Sequence, residues 1–587
     1  MLSKHARRVV GILRRTPRER RYFLNQPLQR SQHPMEHGQT DETWRPEYGS
    51  FNGGPKRSIP WHGDGSWMNA HRFEIPRDDP QWPDVYTYTD KISYAPGEEV
   101  RFHGSTSAPR WSLLIYKDGA QPLLVHRADN LLGVHSPTSK TAYRDGCDWP
   151  VAATWTLPSD LRSGFYRVVS ICARPGGDRF VQHHFFVVRP VAADPSRILV
   201  LLPTATWTAY NDWGGANHYT GTADTATGSS PVLSLLRPWT RGMVWLPPGA
   251  PRICSNPRRD RSAPTYPQKD WAVGNGFSLY YAAAGWAQFD RHFVIWAEAN
   301  GFHLDFVTQT DLHNRPELLD GYRLVAIAGH DEYWSTPMRL AIDSFVERGG
   351  RVARFGANFM WQIRLEGGVT QICYKYHAHQ NDPVANTADH HLLTSSWEDP
   401  ALGWPGAKTF GLNGSQGAYA SWGGFTPKGS RGFTVYRPDH WAFGGTELSY
   451  GDVFGSEASI FAYEVDGADY TFRNGLPFPT GLDGVPENVQ ILAMAPAVLA
   501  EARWTLEGGR YYVGDADHDY FQALLGGTED PEAPPQRYGS GMMAYLEKGE
   551  GAVFNAGTCE WVMGLTRNEP DTIRITRNVL SRFLAEE

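Results

Sequence analysis

Long apolar runs are missing from this 587-residue chain. None approaches the roughly 18 side chains of a membrane-spanning helix, which argues against a membrane role. An excess of positive charge is missing too: 56 basic residues face 63 acidic ones, for a net of −7. Binding nucleic acid through bulk charge needs the opposite balance, so no nucleic-acid partner is expected. Cysteine is scarce. Cys147, Cys172, Cys254, Cys373 and Cys559 lie far apart and form no CxxC pair. An odd, scattered set suits reduced, buried thiols in a cytoplasmic protein, and excludes a disulfide framework or a cysteine-rich zinc site. There is no GxSxG of the serine-hydrolase kind and no internal repeat. Glycine (60), proline (42), tyrosine (27) and tryptophan (22) are plentiful, which leans toward β structure and long ordered loops.

At about 150 residues per domain the length predicts two to four domains. Basic residues crowd the start, among them Arg7, Arg8, Arg14 and Arg15, but Val9 to Leu13 between the pairs is too short for a secretory signal. Residues 1–82 read as an N-terminal arm, extended or partly mobile. Residues 83–191 carry short strand patterns, including 85–89, 111–116, 166–172 and 180–188, separated by turn residues such as Pro96-Gly97, Asp118-Gly119 and Ser163-Gly164. That spacing predicts an immunoglobulin-like β-sandwich. From residue 192 to the end, continuous apolar strands (198–202, 322–328, 351–355, 551–555) alternate with helical segments (290–300, 338–346, 573–584). Such alternation predicts a doubly wound α/β domain. Residues 365–490 lack a helical period and read as a β-rich insertion or a set of long loops.

Ligands of open α/β sheets bind beyond the carboxyl ends of the strands. The segments just after the four apolar strands are therefore the place to look. They hold Tyr210, His330, Glu332, Asn358 and the run Ala556-Gly557-Thr558-Cys559-Glu560-Trp561. Adjacent strands would bring Tyr210, His330, Glu332 and Asn358 to one sheet edge. His330 and Glu332 stand two apart, so in extended chain they share a side. That suits a histidine orienting a metal-binding carboxylate, and equally a plain hydrogen-bonded pair.

Trp207 to Gly215, Arg237-Pro238, Gly329 to Tyr333, Gly356-Ala357-Asn358 and Phe554 to Trp561, in that order, resemble the large (beta) subunit family of N,N-dimethylformamidase. The resemblance runs over about residues 85–587. It implies a hydrolase of small amides that uses one mononuclear Fe(3+), held by two tyrosine phenolates and one glutamate. Tyr210 then corresponds to the first phenolate and Glu332 to the carboxylate. Tyr219 is the choice for the second phenolate, with Tyr266, Tyr280 and Tyr281 as competitors. His330 and Asn358 correspond to residues behind the ligands, and Glu464 to a further acidic residue of the site. The resemblance also leaves room for a small partner subunit, and the chain is compatible with a homo-oligomer. Residues 240–285 look inserted beside the pocket, which leaves the substrate open.

Two rival readings stand beside this one. Tyr376-His377-Ala378-His379 with His390-His391 offers imidazoles to zinc. A sandwich rich in Trp and Tyr also suits a non-catalytic carbohydrate- or partner-binding protein.

Overall fold

The computed structural model describes residues 73–221, 229–253, 267–421, 429–499, 520 and 538–585. Most of the N-terminal arm, together with Cys254 and Tyr266, lies outside them. The fold is mixed α/β, strand-rich and built from several sheets.

The first eight strands form two sheets. β1 (Val85–Thr89), β3 (Glu99–Thr106) and β6 (Val151–Thr156) make one; β2 (Ser93–Tyr94), β8 (Arg179–Val188), β7 (Gly164–Ala173), β4 (Arg110–Lys117) and β5 (Leu123–Leu132) make the other, in that order. Val85, Val100 and Phe102 of the first sheet share a core with Trp111, Tyr166 and Phe186 of the second. β3 alternates exposed Glu99 and Arg101 with buried Val100 and Phe102, as a half-buried strand should. β5 gives no such signal, because it is largely exposed on both faces.

The second architecture is an eleven-stranded sheet. Its parallel half runs β11 (Leu304–Thr308), β9 (Ile198–Leu202), β12 (Leu324–His330), β14 (Arg351–Ala357), β25 (Gly551–Asn555). β9 shows why continuous apolar strands belong there: Ile198, Val200 and Leu202 enter one core while Leu199 and Leu201 enter the core of the opposite face. The helix Thr336–Glu347 covers that opposite face with Met338, Ala341, Ile342 and Phe345, spaced as one apolar stripe. The antiparallel half continues through β24 (Tyr538–Lys548), β23 (Gln490–Val498), β17 (Ala418–Ala420) and β20 (Tyr463–Gly467), with β18 (Phe433–Val435) and β19 (Val453–Phe454) off this path. Residues 365–490 hold several short strands, of which β17, β18, β19 and β20 pair into the main sheet instead of standing apart from it. The pairing carries Glu464, on β20, back toward the site.

The two architectures touch directly. Phe165, Phe185 and Val187 share a core with Ile198 and Val200, and Phe165 stacks on Trp286 at 3.9 Å between ring centroids. Buried Asp118, just after β4, accepts from Trp286 and Arg291. A small sheet of β10 (Val232–Ser234), β16 (Thr370–Ile372), β15 (Trp361–Glu366) and β13 (Tyr333–Ser335) lies beyond the carboxyl ends of the parallel strands. No helix among the described residues is long and apolar enough to cross a membrane.

Candidate metal centre

The parallel register sets the first two residues. Gly329 pairs with Gly356 and His330 with Ala357, so His330 ends β12 beside the segment that turns at Asn358. Gly329 has φ 74°, and a Cβ there would fall 2.2 Å from the Phe289 side chain, so only glycine fits. Beyond His330, alternate side chains part. His330 and Glu332 face the site; Asp331 turns back to Arg354, which donates to it through Nε at 2.8 Å. Arg354 also pairs with Asp466, two residues after Glu464, and Asp466 accepts the Asn358 backbone N–H at 2.7 Å. All three ionised side chains are fully buried. One arginine therefore clamps the elements that carry His330, Glu332, Asn358 and Glu464.

Tyr210 is the last residue of the helix Thr204–Tyr210, which starts straight after β9. Asn217 ties Tyr219 to it. Its amide donates to the Tyr210 carbonyl at 3.1 Å, and its side-chain oxygen accepts from the N–H groups of Tyr219 and Thr220 at 2.8 Å. The loop between the tyrosines is held by buried Arg237, which donates to the carbonyls of Asn211, Trp213 and Ala216. The Tyr210 and Tyr219 rings consequently stack with centroids 4.5 Å apart.

These supports bring three oxygen donors together. The Tyr210 hydroxyl donates to Glu332 Oε2 at 2.9 Å, and the Tyr219 hydroxyl lies 2.8 Å from both Glu332 oxygens. Trp361 grips Glu332 twice: its indole N–H donates to Oε1 at 2.6 Å, and its backbone N–H to the Glu332 carbonyl at 2.9 Å. Tyr333 donates to the Tyr219 oxygen at 2.7 Å. Burial, then the neighbouring Glu332 carboxylate, pushes both phenols well above their ordinary range.

His330 is the second focus. Its Nδ1 lies 2.7 Å from the Ala283 carbonyl, which turns Nε2 toward Glu464 Oε2 at 2.6 Å and Glu332 Oε2 at 3.4 Å. Burial alone would lower its pKa, but Glu464 and then Glu332 outweigh burial and raise it to about 10. One proton is thus held on the imidazole between two carboxylates. The Asn358 amide lies 3.3 Å from the same nitrogen. Among the described residues, His330, Glu464 and Cys559 also form a group with ligand atoms within 4.8 Å of one another. Asn358 (φ 67°) and Tyr463 (φ 66°) sit in left-handed backbone, strain of the kind that collects at functional sites.

The donor set suits a hard cation. Each tyrosine oxygen lies 2.8–2.9 Å from the Glu332 carboxylate, close enough for one small ion to be held by all three side chains. Two phenols and a carboxylate supply anionic oxygen once the phenol protons leave, which favours a ferric ion over softer metals.

All six residues singled out from the sequence meet here: Tyr210, Tyr219, His330, Glu332, Asn358 and Glu464. Of the competitors for the second phenolate, Tyr281 donates instead to the Pro251 carbonyl, and Tyr266 lies outside the described residues. The Tyr280 ring stands 6.0 Å from that of Tyr210. The histidine run does not gather: His379 pairs with Asp399 at 2.6 Å, while His377, His390 and His391 are exposed. The four described cysteines are buried and form no disulfide among themselves. Sequence reasoning missed Trp361, Tyr333 and Lys375. Tyr333 and Trp361 stood in the segments just after the apolar strands, but a side chain that grips a ligand has no spacing rule of its own.

Two N,N-dimethylformamidase beta subunits are similar to the chain, one from Paracoccus aminophilus over 486 residues and one from an Alcaligenes species over 487, each at 24% identity. Each match covers 76% of this chain and 55% of the relative, so the chain spans about half the length of the curated relatives it matches. A solved structure of Spo0M, a sporulation control protein from Bacillus subtilis, matches 18% of this chain and 49% of its own at 18% identity, with a TM-score of 0.13 that bears no weight. The family described as N,N-dimethylformamidase beta subunit-like, C-terminal, matches residues 111–572, which takes in the whole eleven-stranded sheet, the later strands of the first two sheets and every residue of the site, and the chain belongs to that family.

Proposed function

We propose that the protein is an amidohydrolase that cleaves the carbon–nitrogen bond of a small carboxamide, with Tyr210, Tyr219 and Glu332 holding one ferric ion. The observation that carries this reading is the meeting of both tyrosine hydroxyls on one buried carboxylate. The named relatives support it, being dimethylformamidase subunits. When bound, the ion supplies Lewis acidity at the amide carbonyl and at water.

The chain's own residues do the rest. Trp361 fixes the Glu332 carboxylate, leaving its second oxygen toward the tyrosines and His330. His330, charged between Glu332 and Glu464, is placed to give its proton to the departing nitrogen, and Glu464 beside it to take one from the attacking water and return it to the imidazole. The Asn358 amide is placed to donate to the oxyanion that develops on the carbonyl oxygen. One C–O bond forms and the C–N bond breaks. The products are a carboxylate and a protonated amine, with both of water's hydrogens on the nitrogen.

The finer fold reading goes with this function: the first two sheets as an immunoglobulin-like sandwich, and the parallel half of the large sheet as doubly wound. The relatives' name as a beta subunit supports assembly with a small partner subunit. The test is amine release from N,N-dimethylformamide and other small carboxamides by protein loaded with iron. Turnover that disappears in Glu332→Gln is expected. Absence of turnover with iron bound at one per chain would reject the hydrolase reading.

A further inference from the structure

Tyr333 follows Glu332 in the chain and serves the site from outside the three donors. Its hydroxyl donates to the Tyr219 oxygen at 2.7 Å. The direction of this bond follows from its neighbour. A carboxylate only accepts, so the Tyr219 hydrogen points to Glu332, whose two oxygens both lie 2.8 Å away. A lone pair of the Tyr219 oxygen is left for the Tyr333 hydrogen. A metal ion would replace the Tyr219 hydrogen and leave the Tyr333 hydrogen where it is. The bond therefore outlasts loading of the site.

The fold fixes Tyr333 from several sides. Its backbone N–H donates to the Thr206 hydroxyl at 3.2 Å, and Thr206 belongs to the helix that ends in Tyr210. Its carbonyl accepts from the Gln309 amide at 3.0 Å. Its ring stacks on buried His218, with centroids 5.7 Å apart. In the small sheet Tyr333 pairs with Trp361 across the parallel strands β13 and β15. These two neighbours grip different donors, Trp361 holding Glu332 and Tyr333 holding Tyr219. Lys375 covers the same corner. Its ammonium stands 3.5 Å from the Tyr219 ring centroid and 5.8 Å from that of Tyr333, and its charge acts on the Glu332 carboxylate.

We propose that Tyr333 is a positioning residue for the ferric ion: its hydrogen bond holds the Tyr219 oxygen in place and draws electron density from it. The proposal rests on the iron-hydrolase reading above. A phenolate that accepts a hydrogen bond gives less charge to a metal, which leaves the ion a stronger Lewis acid toward the amide carbonyl. Outer partners of this kind orient ligands and tune the metal they bind. Hydrogen bonds from a hydroxyl to an ionised oxygen span about 2.5–2.7 Å. The 2.7 Å from Tyr333 to Tyr219 already meets that range, so the bond needs no rearrangement to serve a phenolate.

The experiment is Tyr333→Phe in the iron-loaded full chain, which removes the hydroxyl and keeps the ring. The phenolate-to-iron band should move to longer wavelength, since an oxygen without the hydrogen bond gives up an electron more easily. The iron(III)/iron(II) potential should fall, since the same oxygen stabilises the ferric state more. Turnover should drop about ten- to a hundredfold. Tyr322→Phe is the control. It removes another buried hydroxyl, which donates to Asp305 at 2.7 Å beyond the opposite end of β12, and should leave band and potential in place. An unchanged band and potential in iron-bound Tyr333→Phe would overturn the proposal and leave the hydrolase reading standing. So would a control that shifts the band as far. Should Tyr333→Phe hold no iron, resonance Raman spectra in H2O and D2O read the same bond with Tyr333 present. They are recorded on Tyr463→Phe, because Tyr463 is hydrogen-bonded to Tyr210. A phenolate C–O vibration that moves on deuteration supports the proposal, and one that stays overturns it. Absence of iron from the unaltered protein would reject the iron-hydrolase reading and the proposal with it.

Discussion

Two buried polar clusters share the segment after β12 and behave as opposites. Asp331 belongs to the first, with Arg354 and Asp466; His330 and Glu332 belong to the second, with Tyr210, Tyr219 and Glu464. Alternation along an extended chain separates them: 330 and 332 point one way and 331 the other. The first cluster contains its own cation, fully enclosed, so its charges are settled when the chain folds. The oxygens of Tyr210, Tyr219 and Glu332 instead share protons with one another, an arrangement that a metal ion can replace. A built-in cation marks a structural clamp, and converging acidic oxygens mark a place for a ligand.

Substitutions should separate the two clusters by what they change. The largest expected effect is on the clamp. Arg354→Met leaves Asp331 and Asp466 buried without their cation and should destabilise the protein by about 3–5 kcal/mol in denaturant unfolding. A loss below about 1 kcal/mol would show that the clamp is not what holds the two strand ends. Glu332→Gln keeps the shape but weakens acceptance from Tyr210, Tyr219 and Trp361. It should lose about 1–3 kcal/mol and abolish metal binding, so its signature is metal content more than stability.

Buried histidines sharpen the contrast. His184, in β8, meets the Thr89 hydroxyl at 2.9 Å, and burial lowers its pKa to about 3. His330 is raised instead, because carboxylates face it. For His184 the folded state resists a proton that the unfolded chain accepts at about pH 6.5. Its contribution to stability is therefore lost as pH falls from about 6.5 toward 3, by up to about 1.4 kcal/mol per pH unit. His184→Asn should flatten that part of the stability–pH curve; an unchanged slope would assign it to other groups. The smallest effect belongs to Tyr210→Phe, which removes one hydroxyl. About 1 kcal/mol of stability should go, while metal binding drops sharply. Stability lost without any change in metal binding would make Tyr210 a packing residue.

The parts of the fold that could be read in advance are those with a strong local period. β9 and β25 fall on the expected residues because strands buried on both faces are continuously apolar. The helix Thr336–Glu347 shows its apolar stripe, ended by Gly349-Gly350. β5 was silent because it is exposed, and the seven residues of Thr204–Tyr210 were too few to show a helical period. That β17, β20 and β23 extend the main sheet is a long-range pairing with no local signature. In the site, Tyr210, His330, Glu332 and Asn358 were legible because ligands gather at the carboxyl ends of apolar parallel strands, and these residues stand there. Tyr219 and Glu464 came only with the family resemblance, since an asparagine-built turn and a distant strand deliver them. Lys375 sits in a short aromatic stretch, Tyr374-Lys375-Tyr376, that no motif describes.

The central claim is that Tyr210, Tyr219 and Glu332 jointly hold one iron. Its most direct test is the metal content and visible spectrum of the full chain purified after growth in iron-rich medium, beside its Tyr219→Phe variant. About one iron per chain is expected, with a phenolate-to-iron absorption band that shifts or fades when the Tyr219 oxygen is removed. Colourless protein without iron, and without iron uptake on anaerobic reconstitution, would contradict the claim, as would an iron band left unchanged by Tyr219→Phe.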